Sequence, residues 1–318
     1  SLLAESVGFA RLGLAIVDEQ HRFGVAQRAG LKQKGPAPHL LVMTATPIPR
    51  TLAMTVYGDL DVSVLDEMPP GRTPIQTDLV TERAREKVYD RVRKELNAGR
   101  QAYVVYPLVE ESEKLDLKDA TQMAEHLQRD VFRTHRVALL HGRMSHEDKD
   151  RVMRAFETGE VHVLVATTVV EVGVDVPNAS IIVIEHAERF GLAQLHQLRG
   201  RVGRGQWPSR CILIGRWQRG SVAHERLVAI RDTTDGFRVA EEDLRLRGPG
   251  EILGTRQSGV PGFRVANLIR DAGVLAEARE AAFRLVGSDP TLGRGGHKAL
   301  RDEIRRRWGA AFADLTIG

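Results

Sequence analysis

The sequence predicts an α/β protein in which parallel sheets are followed by a mostly helical carboxyl-terminal region. Short, nearly continuous apolar runs at 12–17 and 40–43 are typical of strands buried on both faces of a parallel sheet. Further along, apolar runs alternate with helical patterns, which again indicates parallel pairing. From about residue 216 onward the strand pattern stops, and arginine-rich helical segments follow.

The positions of prolines and glycines, and the change from strand to helical patterns, predict three regions. Three prolines and a glycine at 66–74 indicate a linker, so we expect the remainder of a first lobe at 1–68, a second lobe at 72–215 and a helical region at 216–318. Ser145 is expected to cap a helix. The expected strands of the second lobe are 102–106, 136–140, 161–166, 180–184 and 210–214, and its expected helices are about 81–98, 117–130 and 145–157.

Composition limits the classes of protein that the chain can belong to. Its 318 residues, 42% of them hydrophobic, suffice for about two globular domains, and a net charge of +4 weakly favours a polyanionic partner. No run approaches the roughly 18 apolar residues of a membrane helix, and Cys211 lies in an apolar run where a buried hydrophobe is expected. We therefore expect a cytoplasmic protein with no membrane partner. Because an apolar segment follows Ser1 almost at once, we also expect a piece of a longer protein.

Two adjacent acids follow the first apolar run. Mg²⁺ prefers hard oxygen ligands and an attacking water needs a base, so Asp18 is expected to hold magnesium through water and Glu19 to act on the attacking water. A helix cap would explain the pair equally well, so its neighbours must decide. Thr44 and Thr46 follow the second apolar run in a proline-containing turn, at the same edge of the expected sheet.

The strongest local signal lies at 194–205. Gln197, Arg201 and Arg204 are spaced at i, i+4 and i+7, and on a continuous helix they would share one face. Nearby glycines permit close approach to another surface, and the planar fork of arginine suits a γ-phosphate. We interpret the three residues as catalytic and the two arginines as ATP-binding, with an arginine finger among them.

A third polar segment follows the apolar run at 161–166. Thr167 and Thr168 offer hydroxyl groups that can bind DNA phosphate, and Asp175 adds a carboxylate that we assign to the nucleotide site. By itself this segment is equally compatible with an ordinary turn between a strand and a helix.

Taken in order, these segments resemble motifs of superfamily 2 helicases: 18–21 resembles motif II, 44–47 motif III, 166–177 motif V and 197–204 motif VI. A closer similarity, over essentially the whole chain, is to the RecG family. The segments that carry it are 18–25, 44–51, 105–112, 141–144 and 188–192. The resemblance implies RecA-like lobes in which ATP hydrolysis, with Mg²⁺, drives branch migration and fork regression in DNA repair and recombination.

Residues 236–259 resemble the translocation motif of that family, in which a helical hairpin and a loop couple ATP hydrolysis to movement on duplex DNA. The resemblance implies coupling roles for Arg226, Arg247 and Gln257, with Gln257 also contacting DNA. It implies coupling roles for His21, Thr44 and Thr46 as well. The implied partner is branched double-stranded DNA, such as a fork or a Holliday junction, bound by a monomer.

One departure separates the chain from a complete motor. Nowhere does Gly-Lys precede Ser or Thr, the pattern of the loop that cradles nucleotide phosphates, and the wedge domain of the family is missing as well. We therefore expect the chain alone to be inactive. Three alternatives stay open: a translocase like the transcription-repair coupling factor Mfd, whose usual motif II has Glu-Glu-Gln where this chain has Glu-Gln-His, an RNA helicase, and a non-catalytic DNA-binding or protein-binding piece.

Overall fold

The computed structural model describes residues 7–18, 34, 38–44, 61–65, 67, 72, 74–107, 113–167, 175–247 and 270–315. The chain divides into two compact units, one formed by 1–61 with 247–318 and the other by 62–246. No helix in the described ranges is long and apolar enough to cross a membrane.

The larger unit is built on a six-stranded sheet in which all strand pairs are parallel. The strand order is β3-β8-β7-β4-β6-β5. The strands are β3 (Gln76–Thr81), β4 (Gln101–Val105), β5 (Val137–Leu140), β6 (Val163–Ala166), β7 (Ala179–Ile184) and β8 (Arg210–Gly215). The helices are α1 (Arg85–Asn97), α2 (Glu113–His126), α3 (His146–Glu157), α4 (Leu192–Arg199), α5 (Val222–Asp232) and α6 (Gly236–Arg247).

Burial on both faces explains why the central strands are mostly apolar. Side chains of a strand alternate between the two faces of a sheet, so a strand covered on both faces is apolar at most positions. In β4, Tyr103 and Val105 enter one core while Ala102 and Val104 enter the other. Helices α3 to α6 contribute to the first core, and α1 and α2 to the second. The predicted parallel α/β fold is confirmed.

The chain beyond residue 216 begins inside the sheet unit. Leu227 and Ile230 of α5 and Val239 of α6 are fully buried in the same core as Leu195 of α4 and Cys211 of β8. The linear pattern placed a region boundary at 215, whereas α5 and α6 belong to the unit that ends at 246. A change from strand to helix therefore does not coincide with a change of core. The buried position of Cys211 is as predicted.

Helix α3 begins where the sequence predicts. The Ser145 hydroxyl accepts a hydrogen bond from the Asp148 backbone N–H at 3.1 Å, which satisfies one of the free donors of the first turn. Strand β3 was not predicted, because its polar residues Gln76, Thr77 and Asp78 interrupt the apolar pattern. These residues are tolerated because β3 is an edge strand with a single neighbour, β8.

The smaller unit contains a short parallel pair and two helices. Strands β1 (Leu14–Val17) and β2 (His39–Val42) pair in register from Leu14 with His39 to Val17 with Val42. Helices α7 (Ala272–Ser288) and α8 (Lys298–Leu315) are separated by a turn in which the Asp289 carboxylate accepts hydrogen bonds from the Gly293 and Arg294 backbone N–H groups.

A buried carboxylate lies at the carboxyl end of β7. Glu185 is fully buried and accepts hydrogen bonds from Arg85 Nε and Nη2, the latter at 2.9 Å, and from the Tyr89 hydroxyl at 2.9 Å. Burial, together with the Glu185 carboxylate, raises the pKa of Tyr89 above its usual value and keeps the phenol protonated as a donor. Because both donors belong to α1, the network ties this helix to the end of the central strand.

We expect Arg85→Met to lower the free energy of unfolding by about 3 kcal/mol, since it leaves the Glu185 charge buried without its cation. Urea denaturation of the chain measures the change. Arg91→Met is a matched control on the same helix, because the side chains of Arg91 and Asp78 are 48% and 26% exposed and their ion pair should contribute less than about 1 kcal/mol. Equal losses in the two variants would show that the Arg85 pair behaves as a surface interaction.

Candidate functional site

The carboxyl ends of the parallel strands carry the candidate site, as is usual for open α/β sheets. In the larger unit, β6 leads into Thr167 and β7 leads into the turn before α4. Helix α4 begins after Gly191, whose backbone N–H donates to the Gln194 side chain at 3.1 Å. The loop after α4, in which the segment that resembles motif VI ends, contacts 175–177, the described end of the segment that resembles motif V.

The helix that carries Gln197 ends before the two arginines that follow it. Residue 199 is the last of α4, and after Gly200 the hydrogen bonds are of the tighter i to i−3 kind, such as that from Arg201 N–H to the Leu198 carbonyl at 3.0 Å. Gly203 then adopts φ of +79°, a left-handed conformation that favours glycine. The expectation that Gln197, Arg201 and Arg204 share one helical face is therefore wrong. Gln197 lies on the helix, and the arginines lie on the turn and loop after it.

Arg204 is held in place by contacts on two sides. Its Nη1 lies 3.4 Å from the Asp175 carboxylate, and its Nε donates to the Gly200 carbonyl at 3.1 Å. Gly205 packs so closely on Pro177 that a Cβ there would collide with the Pro177 carbonyl oxygen. The loop after α4 is thus fitted to the end of the 175–177 segment, and Arg204 forms an ion pair with Asp175.

The Asp175–Arg204 pair is accessible to solvent. The Asp175 side chain is 58% exposed and that of Arg204 is 24% exposed. A pair of this kind stabilises a fold by at most about 1 kcal/mol, so a stronger anion can replace the carboxylate. The arrangement can therefore offer a positioned guanidinium to a phosphate group.

Thr167 occupies a more enclosed place than a DNA contact would suggest. It is fully buried, its backbone N–H donates to the Leu140 carbonyl, and its hydroxyl oxygen has no hydrogen-bond partner among the described residues. Its assignment to DNA binding stays a prediction. Thr168, which we assigned with it, lies outside the described residues.

In the smaller unit, Asp18 and Thr44 follow neighbouring strands. Asp18 comes directly after β1 and Thr44 two residues after β2, and the Met43 N–H donates to the Val17 carbonyl at 2.8 Å. Both residues therefore lie at the carboxyl edge of the pair, as predicted. Within the described residues, no three acids, histidines or cysteines cluster closely enough to form a metal site. Glu19, His21, Thr46 and Gln257 lie outside the described residues, and so does the side chain of Arg247.

Sequence reasoning missed Arg199, the residue that ends α4. It is 3% exposed, and its Nη1 donates to the Ile230 carbonyl at 2.6 Å and to the Thr233 carbonyl at 2.7 Å. Its Nη2 lies 3.0 Å from His196 Nδ1. Arg199 is one of three arginines in six residues, and nothing in the linear pattern separates this buried one from the two on the loop.

His196 is neutral because of its neighbours. Arginine only donates hydrogen bonds, so His196 Nδ1 must accept from Arg199 and the imidazole proton lies on Nε2. Burial, with a smaller contribution from the Arg199 charge, lowers the pKa of His196 from 6.5 to about 4. The ring is therefore an acceptor for the buried guanidinium at neutral pH.

Arg226 also links α4 and α5, but it reaches from α5 towards α4, whereas Arg199 reaches from α4 to α5. This residue of α5 donates through Nη1 to the Phe190 carbonyl at 3.2 Å, immediately before the start of α4. The side chain that was predicted to relay movement thus contacts the backbone next to the candidate site.

Comparisons with known proteins agree with this architecture. Residues 85–206 match the helicase conserved C-terminal domain, and residues 233–306 match the carboxyl-terminal part of domain 3 of the ATP-dependent DNA helicase RecG. The chain is 52% identical over 308 residues to RecG of Synechocystis, covering 97% of this chain and 37% of that protein. It is 55% identical over 280 residues to RecG of Thermotoga maritima, covering 88% of this chain and 36% of that protein. The chain thus spans about two fifths of the length of these relatives.

Solved helicase structures also resemble this chain. A RecG structure bound to a three-way DNA junction superposes with a TM-score of 0.66 at 51% identity, covering 85% of this chain and 34% of that one. The Mycobacterium smegmatis helicase Lhr, at 18% identity and a TM-score of 0.52, covers 70% of this chain and 31% of that one and is similar in fold alone.

The low pKa of His196 predicts a dependence of stability on pH. In the unfolded chain the ring takes up a proton near pH 6.5, whereas in the folded chain it does so only near pH 4. Between these values the unfolded state binds more protons, so the contribution of His196 to stability is complete above pH 6.5 and is lost as the pH falls towards 4.

His196→Asn should make the loss of stability between pH 6.5 and 4.5 shallower, because the amide oxygen can still accept from Arg199 but does not titrate. Urea denaturation at several pH values measures both proteins. Parallel curves would show that His196 takes up its proton equally readily in the folded and unfolded chains.

Proposed function

We propose that this chain, which belongs to the RecG family of ATP-dependent DNA helicases, supplies the second motor lobe and the translocation region of an enzyme that moves on branched double-stranded DNA. The intact enzyme would use ATP hydrolysis to drive branch migration and fork regression in DNA repair and recombination. The observation that carries the proposal is the Arg204 guanidinium, positioned by Asp175 and the Gly200 carbonyl at the carboxyl edge of a parallel sheet.

The geometry supports a role for Arg204 in sensing nucleotide. Asp175 contacts the guanidinium, but the exposed ion pair is weak enough for a phosphate oxygen to take the place of the carboxylate. Charge that builds up on a transferring phosphoryl group is stabilised by such an arginine. Arg201, two residues after the helix end, and Gln197 on the helix are assigned to the same site.

Asp18 and Glu19 are assigned to the magnesium ion and the attacking water. Asp18 would hold Mg²⁺ through water, which agrees with the preference of this ion for few protein ligands and several waters or phosphate oxygens. When bound, ATP and Mg²⁺ supply the phosphoryl group and its charge compensation. Glu19 would take a proton from the attacking water. The sequence contains no Gly-Lys-Ser/Thr loop, so the phosphates would be cradled by another part of the intact enzyme.

Similarity to RecG domain 3 favours duplex DNA over the RNA-helicase alternative. The related RecG structure is bound to a three-way DNA junction, which supports branched DNA as the substrate class here. Thr167, Thr168 and Gln257 are the DNA contacts that we assign. His21, Thr44, Thr46, Arg226 and Arg247 are assigned to coupling. A monomer acting in the cytoplasm fits this function.

The proposal is tested by comparing this chain with a longer protein that carries it together with a phosphate-binding loop. The longer protein should hydrolyse ATP when branched duplex DNA is added and should regress model forks, because the phosphate-binding loop is then present together with the residues of this chain. The chain alone should show neither activity. Robust DNA-stimulated hydrolysis by the chain alone would contradict the assignment of the missing loop, and a longer protein stimulated only by RNA would contradict the substrate class.

Arg204→Ala in the longer protein should lower ATP turnover about 10³-fold, the effect expected when an arginine that stabilises phosphoryl transfer is removed. Steady-state hydrolysis with saturating branched DNA measures it. Arg210→Ala is the matched control. This arginine also pairs with an aspartate, Asp78, but it lies at the start of β8, at the end of the strand opposite the carboxyl edge that carries the candidate site. If Arg204→Ala weakens only DNA binding and reduces its salt dependence, the residue contacts the DNA backbone instead.

A further inference from the structure

Helices α4 and α5 are joined by arginines that run in opposite directions. Arg199 reaches from the end of α4 to carbonyls at the end of α5, and Arg226 reaches from α5 to the carbonyl before the start of α4. We propose that this pair is a two-point clamp and that Arg199 is a positioning residue through which movement of the Arg204 loop is transmitted to the translocation region. The inference rests on the proposed function and extends it to a residue to which the sequence analysis gave no role.

The Arg199 contact is suited to gripping the end of α5. The last four carbonyls of a helix have no partner within it and carry the negative end of the helix dipole. Ile230 belongs to this group and Thr233 is the residue that caps the helix, so a single guanidinium nitrogen satisfies two carbonyls there. Only the branched, planar guanidinium can bind both while its second nitrogen contacts His196.

Two separated points of attachment give rigidity that one would not. Phe190 lies before the first turn of α4 and Arg199 at its last residue, so the attachments lie at the two ends of a helix about 12 Å long at 1.5 Å per residue. With one attachment α5 could pivot about it. With both, a displacement of α4 must carry α5 along.

Packing alone does not explain why the buried residue at position 199 is an arginine. An apolar residue at this position would fill the core between Leu195 and Ile230 without the cost of removing a charge from water. Within the described residues, the hydrogen bonds of Arg199 go to carbonyls and a neutral histidine rather than to a carboxylate. The buried charge therefore serves the connection between the helices.

The position of the clamp in the chain indicates which two parts of the protein it connects. Arg199 is followed within five residues by Arg204, whose loop is the part of this unit that we assign to phosphate. On the other side, α5 is followed by α6, with which the segment 236–259 that resembles the translocation motif begins. The clamp is a hydrogen-bonded link between these two parts.

The test uses the longer protein with Arg199→Lys, which keeps the charge and length but not the fork. We expect ATP hydrolysis to stay within about threefold, while fork regression per ATP falls about tenfold, the factor that follows from losing one charge-assisted hydrogen bond. Arg231→Lys is the matched control. It lies on α5, the helix whose end Arg199 contacts, pairs with the adjacent Asp232 on the surface, and should change neither quantity. Equal losses of hydrolysis and regression, or no loss of either, would overturn the proposal.

A second measurement does not depend on motor activity. In the 318-residue chain, Arg199→Lys should speed hydrogen exchange both at the amides at the end of α5 and at those around Phe190, because loss of one attachment loosens the other. Faster exchange at the end of α5 alone would show a simple helix cap and overturn the clamp. If the unmodified longer protein fails to regress forks while exchange at both ends rises, the proposed function fails and the clamp stands.

Discussion

Burial of the parallel sheet on both faces is the constraint on which the rest of the larger unit depends. The inner strands β4, β6, β7 and β8 carry mostly apolar side chains to two separate cores, and the buried polar residues Gln101 and Ser180 lie near strand starts. Polar residues that could bind a ligand lie where the strands end. Thr167, Glu185 and the turn before α4 all follow this rule. The candidate site is therefore a consequence of how the core is covered.

Two buried charges stabilise the structure at that edge in different ways. Glu185 is matched by a cation and a phenol from α1, so its charge is compensated within the first helix of the unit. Arg199 is instead surrounded by carbonyls and a neutral imidazole, which leaves its charge without a compensating carboxylate among the described residues. The first arrangement anchors an element to the sheet, and the second joins two helices to each other. The difference explains why we assign a transmitting role only to Arg199.

The exposed Asp175–Arg204 pair has the opposite character. It is half open to water, costs little to separate, and lies on a loop that glycines allow to pack against Pro177. Weak pairing is useful where a ligand must compete for the arginine. The site thus combines the Asp175–Arg204 ion pair, which a ligand can replace, with the buried hydrogen bonds of Arg199 at the end of α4.

The sequence by itself predicted the class of sheet, most of its strands and the resemblance to the RecG family. These depend on local composition: apolar runs for buried strands, a serine cap before α3, and polar residues after each run. Tertiary structure decided the rest. It ended α4 before Arg201, paired Arg204 with Asp175, placed α5 and α6 in the sheet unit, and distinguished Arg199 from its neighbours. Each of these depends on contacts between residues far apart in the chain, and a linear pattern does not contain them.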